Sequence, residues 1–297
     1  SPEDLSPREE ETLTSLENLF YYPYQWVFRY KLRLRKSSIL SVIGDNTLKG
    51  NLAHRFFENL LQQDFYDWDK KDIYQWIDRQ APKLLRREGA VLLMYGREPE
   101  RYDFISKIKY AALSLLSAIK SNNWKVLATE MDIAGDFEDI RLKGKADLVL
   151  QRGNDFFIVD LKWRGATRRE NMIKSGDDLQ LITYCHLLDA PLENVHTAYF
   201  IIENGKFIAR NNLAIEEATA VMPYDDHRDI HRQIFDRMKK TYLWRRQQLD
   251  NGLVEVRTTD TVQDLEEAYE GELMHLLELP DKEAAFDDYR VLIGLVD

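Results

Sequence analysis

Two carboxylates and a lysine, Asp147, Asp160 and Lys162, fall on two short β-rich runs separated by turn residues, a placement that can do chemistry. Residues 143–150 (Lys-Gly-Lys-Ala-Asp-Leu-Val-Leu) and 156–162 (Phe-Phe-Ile-Val-Asp-Leu-Lys) read as the arms of a hairpin. With Gly153-Asn154 as its two-residue loop, Arg152 pairs with Asp155 and Asp147 stands opposite Asp160. Alternation then places Asp147, Val149, Phe156, Ile158, Asp160 and Lys162 on one face, and Ala146, Leu148, Leu150, Phe157, Val159 and Leu161 on the other. Facing carboxylates with Cβ atoms about 5 Å apart repel unless a proton or a cation lies between them. Oxygen ligands suit Mg2+ or Mn2+, and such an ion polarises a phosphoryl oxygen and helps to generate hydroxide. Lys162, on the same face, could hold the attacking water or stabilise charge growing on phosphate. A surface hairpin that merely carries charges is the plainer alternative.

Other elements must hold this hairpin. The stretches 124–133, 142–150, 156–163 and 196–202 are β-rich, with turn residues between them. Residues 177–188 form a helical pattern between the third and fourth runs, and 225–249 form a longer one after them. Ahead of the sheet, an aromatic amphipathic stretch over 12–35 predicts one or two helices around Pro23, and apolar spacing over 51–63 predicts a clearer one. Residues 64–122 read as further helix, and the last 45 or so as a helix and a terminal strand from Arg290 to Val296. The expected fold is α/β: a small mixed sheet flanked by helices, with a helical insertion and a helical C-terminal extension. One domain is expected, its core at about 12–63 and 123–210, the insertion at 64–122 and the extension at 211–297. A first residue of Ser rather than Met suggests a piece of a longer polypeptide.

Bulk properties narrow the field. No stretch approaches the roughly 20 apolar residues of a membrane helix and no signal peptide is evident, so a cytoplasmic location is expected. The single cysteine, Cys185, excludes an intramolecular disulfide and a four-cysteine iron-sulfur cluster, leaving oxygen and imidazole as metal donors. With 41 basic and 51 acidic residues the net charge is −10, the wrong sign for a surface that grips nucleic acid throughout. Cations nonetheless cluster: from Arg29 to Lys36, at Lys83, Arg86 and Arg87, from Lys162 to Lys174, and from Arg237 to Arg246. Acids gather at the two ends, around Glu9 to Glu11 and from Asp260 to Asp288. Only the cluster next to the hairpin lysine carries a functional reading.

The order Asp147, Asp160, Leu161, Lys162 resembles the Asp, Asp or Glu, any residue, Lys signature of the PD-(D/E)xK nucleases. Two further segments are similar to the RecB- and AddB-type branch. Gly50-Asn51-Leu52-Ala53-His54, read as opening a helix, resembles its Gly-x-x-x-His motif, and Gln180 to Tyr184 resembles its Gln-x-x-x-Tyr helix. The resemblance implies that His54, Asp147, Asp160 and the Leu161 carbonyl hold metal and that Lys162 is catalytic. Gln180 and Tyr184 would line the site and contact DNA or support the lysine. Glu130, in the preceding strand, is a further candidate, and Arg168 and Arg169, in the loop after the catalytic strand, are candidate phosphate contacts.

The chain departs from that branch where Tyr22 stands in place of the first of four cluster cysteines, so no iron-sulfur cluster is expected and packing of the aromatic N-terminal segment must substitute. The resemblance implies a Mg2+- or Mn2+-dependent DNA nuclease, an exonuclease acting in repair or recombination with a helicase domain or subunit. The alternative is a catalytically silent nuclease fold that binds DNA or protein.

Overall fold

The computed structural model describes residues 5–35, 45–256, 262–269, 271–280 and 287–294. They fall into two compact units, one of 42–133 and 145–230, the other of 1–41, 134–144 and 231–297. Strands β2 (Lys125–Phe137) and β3 (Ile140–Arg152) run through the boundary. The sheet is mixed and seven-stranded, β1 being Glu10–Thr12, β4 Asp155–Lys162, β5 Val195–Ile201, β6 Lys206–Ala209 and β7 Thr219–Ala220. Its order is β1-β3-β4-β5-β6-β7, with β2 paired to β3. Among the described residues no helix is long and apolar enough to cross a membrane.

In the first unit, helices α3 (Asp45–Leu61), α4 (Lys70–Glu88) and α5 (Glu98–Ser121) precede the sheet. An Asp69–Asp72 capping box starts α4, satisfying amides that its first turn would otherwise leave open. Its buried Ile73, Trp76, Ile77, Leu84 and Leu85 recur at helical spacing. These helices share a core with one face of the hairpin, Leu148, Leu150, Phe157, Val159 and Leu161. Burying each such side chain stabilises by about 1.5–3 kcal/mol. The other face holds a second cluster, in which Tyr199, Ile201 and Ile208 pack with Ile173 of α6 (Ala166–Ser175) and Leu181 of α7 (Leu179–Leu187). Strand β4 is bonded on both edges, antiparallel to β3 and parallel to β5, which explains its nearly unbroken apolar run.

The second unit holds β1, α1 (Leu13–Tyr21), α2 (Pro23–Trp26), the tip of the β2–β3 hairpin, α8 (His227–Asp250) from His231 onward, and α9 (Val262–Ala268). Thr12 caps α1, and Pro23 starts α2 where a missing amide costs nothing. The aromatic N-terminal segment is tied in by polar contacts. Trp26 Nε1 donates to buried Glu11 at 3.0 Å, Tyr24 Oη to Asp287 at 2.7 Å, and fully buried Arg245 reaches the Phe20 carbonyl at 2.9 Å and Glu255 at 2.7 Å. Tyr22 lies at the junction of the two helices, its ring edge-on to Tyr24.

Three local expectations need correction. Residues Arg290–Ile293 form a 3-10 turn ended by Gly294 at φ +79°, where a strand was expected; Val296 lies outside the described residues, as do Lys36 and Asp260. Helix α3 begins at Asp45, so Gly50 lies inside it. Gly165, at φ +103°, turns the chain straight from β4 into α6, which places Arg168 and Arg169 on a helix where a loop was expected.

Candidate active site

The hairpin register is the one read from the sequence, from Arg152–Asp155 through Leu148–Val159, with Gly153 supplying the positive φ of +63° that the tight turn requires. The backbone ladder ends at Leu148–Val159. Beyond it the Leu161 amide donates to the Asp147 carboxylate at 2.7 Å, so a side chain takes over from the strand partner and is fixed beside β4. Asp160, one residue back, is 1% exposed between β3 and β5.

Two further donors converge next to that carboxylate. His54, on α3, brings Nδ1 to 3.7 Å from Asp147 Oδ1. Glu130, on β2, completes a set with His54 and Asp147 whose ligand atoms all lie within 4.8 Å of one another. Glu130 sits at φ +50°, a left-handed conformation costing a non-glycine residue about 1–3 kcal/mol, which the surrounding strand must impose.

Lys162 Nζ lies 2.8 Å from Asp160 Oδ2 and bonds Oδ1 at 3.0 Å. Gln180 Oε1 approaches the same ammonium at 3.5 Å; Gln180 Nε2 donates to Tyr184 Oη at 3.2 Å, and Tyr184 Oη donates to the Lys145 carbonyl at 2.9 Å. Residues four apart on α7 thus act on one line, with buried Tyr184 bracing Gln180 and Gln180 bracing the lysine. Helix α7 is itself pinned at its start, where buried Asp178 pairs with buried Arg210 at 3.0 Å. Arg210 escaped the sequence reading because it follows β6, 32 residues from its partner, and no local pattern links them.

The charges are unevenly balanced. Burial, reinforced by the nearby Asp160 charge, pushes the Asp147 carboxyl up to about 7, against the opposing pull of Lys162 and the Leu161 amide. Burial, then the Lys162 charge, lowers His54 below the ordinary imidazole value. His54 is therefore neutral near pH 7. Burial lifts Asp178 to about 6 even beside Arg210, so the pair is ionised at neutral pH.

The donor set fits a hard divalent cation. It offers carboxylate oxygens and one neutral imidazole, and Asp160 Oδ2 is buried with no hydrogen-bond partner among the described residues, because the nearby lysine meets it without donor geometry. Cys185 is buried, its thiol pushed up by burial, and offers no soft ligand to this set.

The two arginines of α6 differ. Arg168 is exposed, whereas the Arg169 guanidinium lies over the Tyr199 ring at 5.0 Å and bonds Met172 Sδ at 3.0 Å, a packed rather than a free cation.

Comparison with curated proteins returns no match. A family model does match, that of the PD-(D/E)XK nuclease superfamily, and it runs over residues 12–282, taking in the β3–β4 hairpin, the helices on both faces of the sheet and α8. The match covers nearly the whole length of a chain whose Asp-x-Lys pair ends an inner strand: the chain belongs to the PD-(D/E)XK nuclease superfamily.

Proposed function

We propose that the chain is a Mg2+- or Mn2+-dependent deoxyribonuclease that degrades DNA from its ends, and that it works as a RecB- or AddB-like nuclease beside a helicase in cytoplasmic DNA repair and recombination. The observation that carries the reading is the gathering of His54, Glu130 and Asp147 within 4.8 Å next to buried Asp160 and its partner Lys162. A structural hairpin has no need to bury two carboxylates at the end of an inner strand, because unpaired buried charge destabilises the fold.

A bound Mg2+ or Mn2+ supplies Lewis acidity toward the phosphodiester and its attacking water, and His54, Glu130, Asp147 and Asp160, with the Leu161 carbonyl, are the groups that would hold it. Lys162 presents its ammonium at the end of β4, where it orients the water or stabilises charge on the phosphate oxygens. Gln180 and Tyr184 keep that ammonium in place, so the cation is positioned before substrate arrives. Exposed Arg168, on the first turn of α6, is the candidate to hold a flanking phosphate. The RecB-like assignment is supported by His54 on its helix and by the Gln180–Tyr184 pair on α7.

The test is incubation of end-labelled linear DNA and covalently closed circular DNA with the protein in Mg2+ or Mn2+, beside EDTA controls. Linear strands are expected to shorten into a ladder only with metal, while circles survive. Cut circles would replace the end-dependent reading by an internal one, and intact DNA in every lane would remove the nuclease reading. Helicase coupling is expected to appear as slow loss of blunt duplex that accelerates when a helicase and ATP separate the strands.

A further inference from the structure

Lys145 precedes Asp147 by two residues on β3, with fully buried Ala146 between them, so alternation turns both side chains to the same face of the strand. Its backbone belongs to the brace of the site, since Tyr184 Oη donates to its carbonyl at 2.9 Å. Its side chain reaches the acids of β2. Nζ lies 3.9 Å from Glu130 Oε2 and 4.0 Å from Asp132 Oδ1. Both contacts are long, and the ammonium makes no hydrogen bond among the described residues. Lys143, two residues earlier, is spent differently, in a close ion pair with Glu10 at 2.6 Å.

Glu130 is the member of the donor set that this lysine meets, and among the described residues no other cation pairs with it. Lys145 is therefore its counter-charge in the metal-free protein. An ion pair between partly exposed groups at this distance is weak, so it yields to a divalent cation on the same carboxylate. The ammonium then keeps three unspent N–H donors beside the site, and phosphate is the substrate group that takes them. Two carboxylates oppose such a contact. Asp132 is 91% exposed and screened by water and salt, whereas the charge of Glu130 is offset only when a metal ion shares it. Contact between Lys145 and phosphate thus depends on metal.

We propose that Lys145 is an exchangeable counter-ion: it neutralises Glu130 in the metal-free protein and turns to a phosphate of the DNA when Glu130 serves a metal ion. The proposal rests on the nuclease reading and adds a substrate contact to its site.

Isothermal titration calorimetry with Mn2+ alone reads the first half. Lys145→Met removes the competing charge but leaves the backbone carbonyl to Tyr184, and it is expected to bind Mn2+ about twofold to fivefold more tightly than the parent. Anisotropy of a fluorescein-labelled DNA hairpin with a dT20 tail reads the second half, in a Lys162→Ala background that spares the DNA. In Mn2+, Lys145→Met is expected to weaken binding and to make the slope of log affinity against log salt shallower by roughly 0.7–0.9; in EDTA the slope is expected to stay the same. Lys145→Arg keeps the charge and is expected to match the parent in both assays. Unchanged or weaker Mn2+ binding by Lys145→Met would overturn the proposal, as would an unchanged slope in Mn2+. An equal loss of slope in Mn2+ and in EDTA would also overturn it, because Lys145 would then be an ordinary surface cation. A parent that binds no Mn2+ would remove the nuclease reading and the proposal together, a result distinct from the other three.

Discussion

Asp147 takes up a proton far more readily than an ordinary carboxyl, and in the proposed site a cation would compete with that proton. Its carboxyl, lifted from 3.8 to about 7 chiefly by burial, binds a proton more tightly folded than unfolded. Its contribution to stability is therefore fully present below about pH 4 and is lost as pH rises through 7. Bound metal replaces that proton, so the rise in melting temperature on adding Mg2+ or Mn2+ is expected to be larger at pH 8 than at pH 6. Scanning fluorimetry checks this, and a metal response independent of pH would contradict it. Glu130 offers a sharper contrast, since its φ of +50° suits glycine. Glu130→Gly is expected to cost little or no stability while markedly weakening the metal response; an undiminished response would remove Glu130 from the site. Asp147, Asp160 and Lys162 were legible because alternation along two strands is a local rule. Glu130 was legible only as an acid in a strand, because its convergence on His54 depends on a backbone turn that composition does not encode.

Helix α7 acts as the brace of the site, and its anchor is the Asp178–Arg210 pair. Asp178→Asn leaves a buried guanidinium without its counter-charge and is expected to cost about 3–5 kcal/mol in denaturant unfolding. Asp178→Asn with Arg210→Met is expected to recover most of it, and an unrecovered double variant would place the loss elsewhere. A second element-scale device lies on β5 and α8, where His196 and His227 stack with ring centroids 5.8 Å apart. Burial, then the neighbouring His227 charge, lowers His196 to about 4. The unfolded chain thus binds the extra proton first, and this stability is present above pH 6.5 and lost as pH falls through 4. Melting curves of His196→Gln are expected to show a shallower loss between pH 6.5 and 4 than the parent; an equally steep loss would assign the acid limb to other groups. The long helices and inner strands were legible from periodicity. Helix α6 was not, because only Trp163, Arg164 and Gly165 separate it from β4 and its polar residues, Thr167 to Asn171, look like a loop. Strands β1, β6 and β7 have two to four residues each, too few to show a period.

At the scale of the whole molecule, a net charge of −10 coexists with Lys162 in the candidate site and exposed Arg168 on the helix that follows it, so the sum says little about where a polyanion docks. The division into two units leaves no linker where β2, β3 and α8 cross it, since each crosses it within the element. What unites sequence, fold and chemistry is one claim, that the end of β4 is a metal-assisted phosphodiesterase site. The most direct test is the rate of metal-dependent degradation of linear DNA by Lys162→Ala, measured beside the parent under saturating protein, with melting temperature as the control for folding. Lys162 is only partly buried, so its removal is expected to leave the fold intact and to slow cleavage by roughly 100- to 1000-fold. Parental cleavage by a folded Lys162→Ala protein would contradict the account and move the chemistry away from β4.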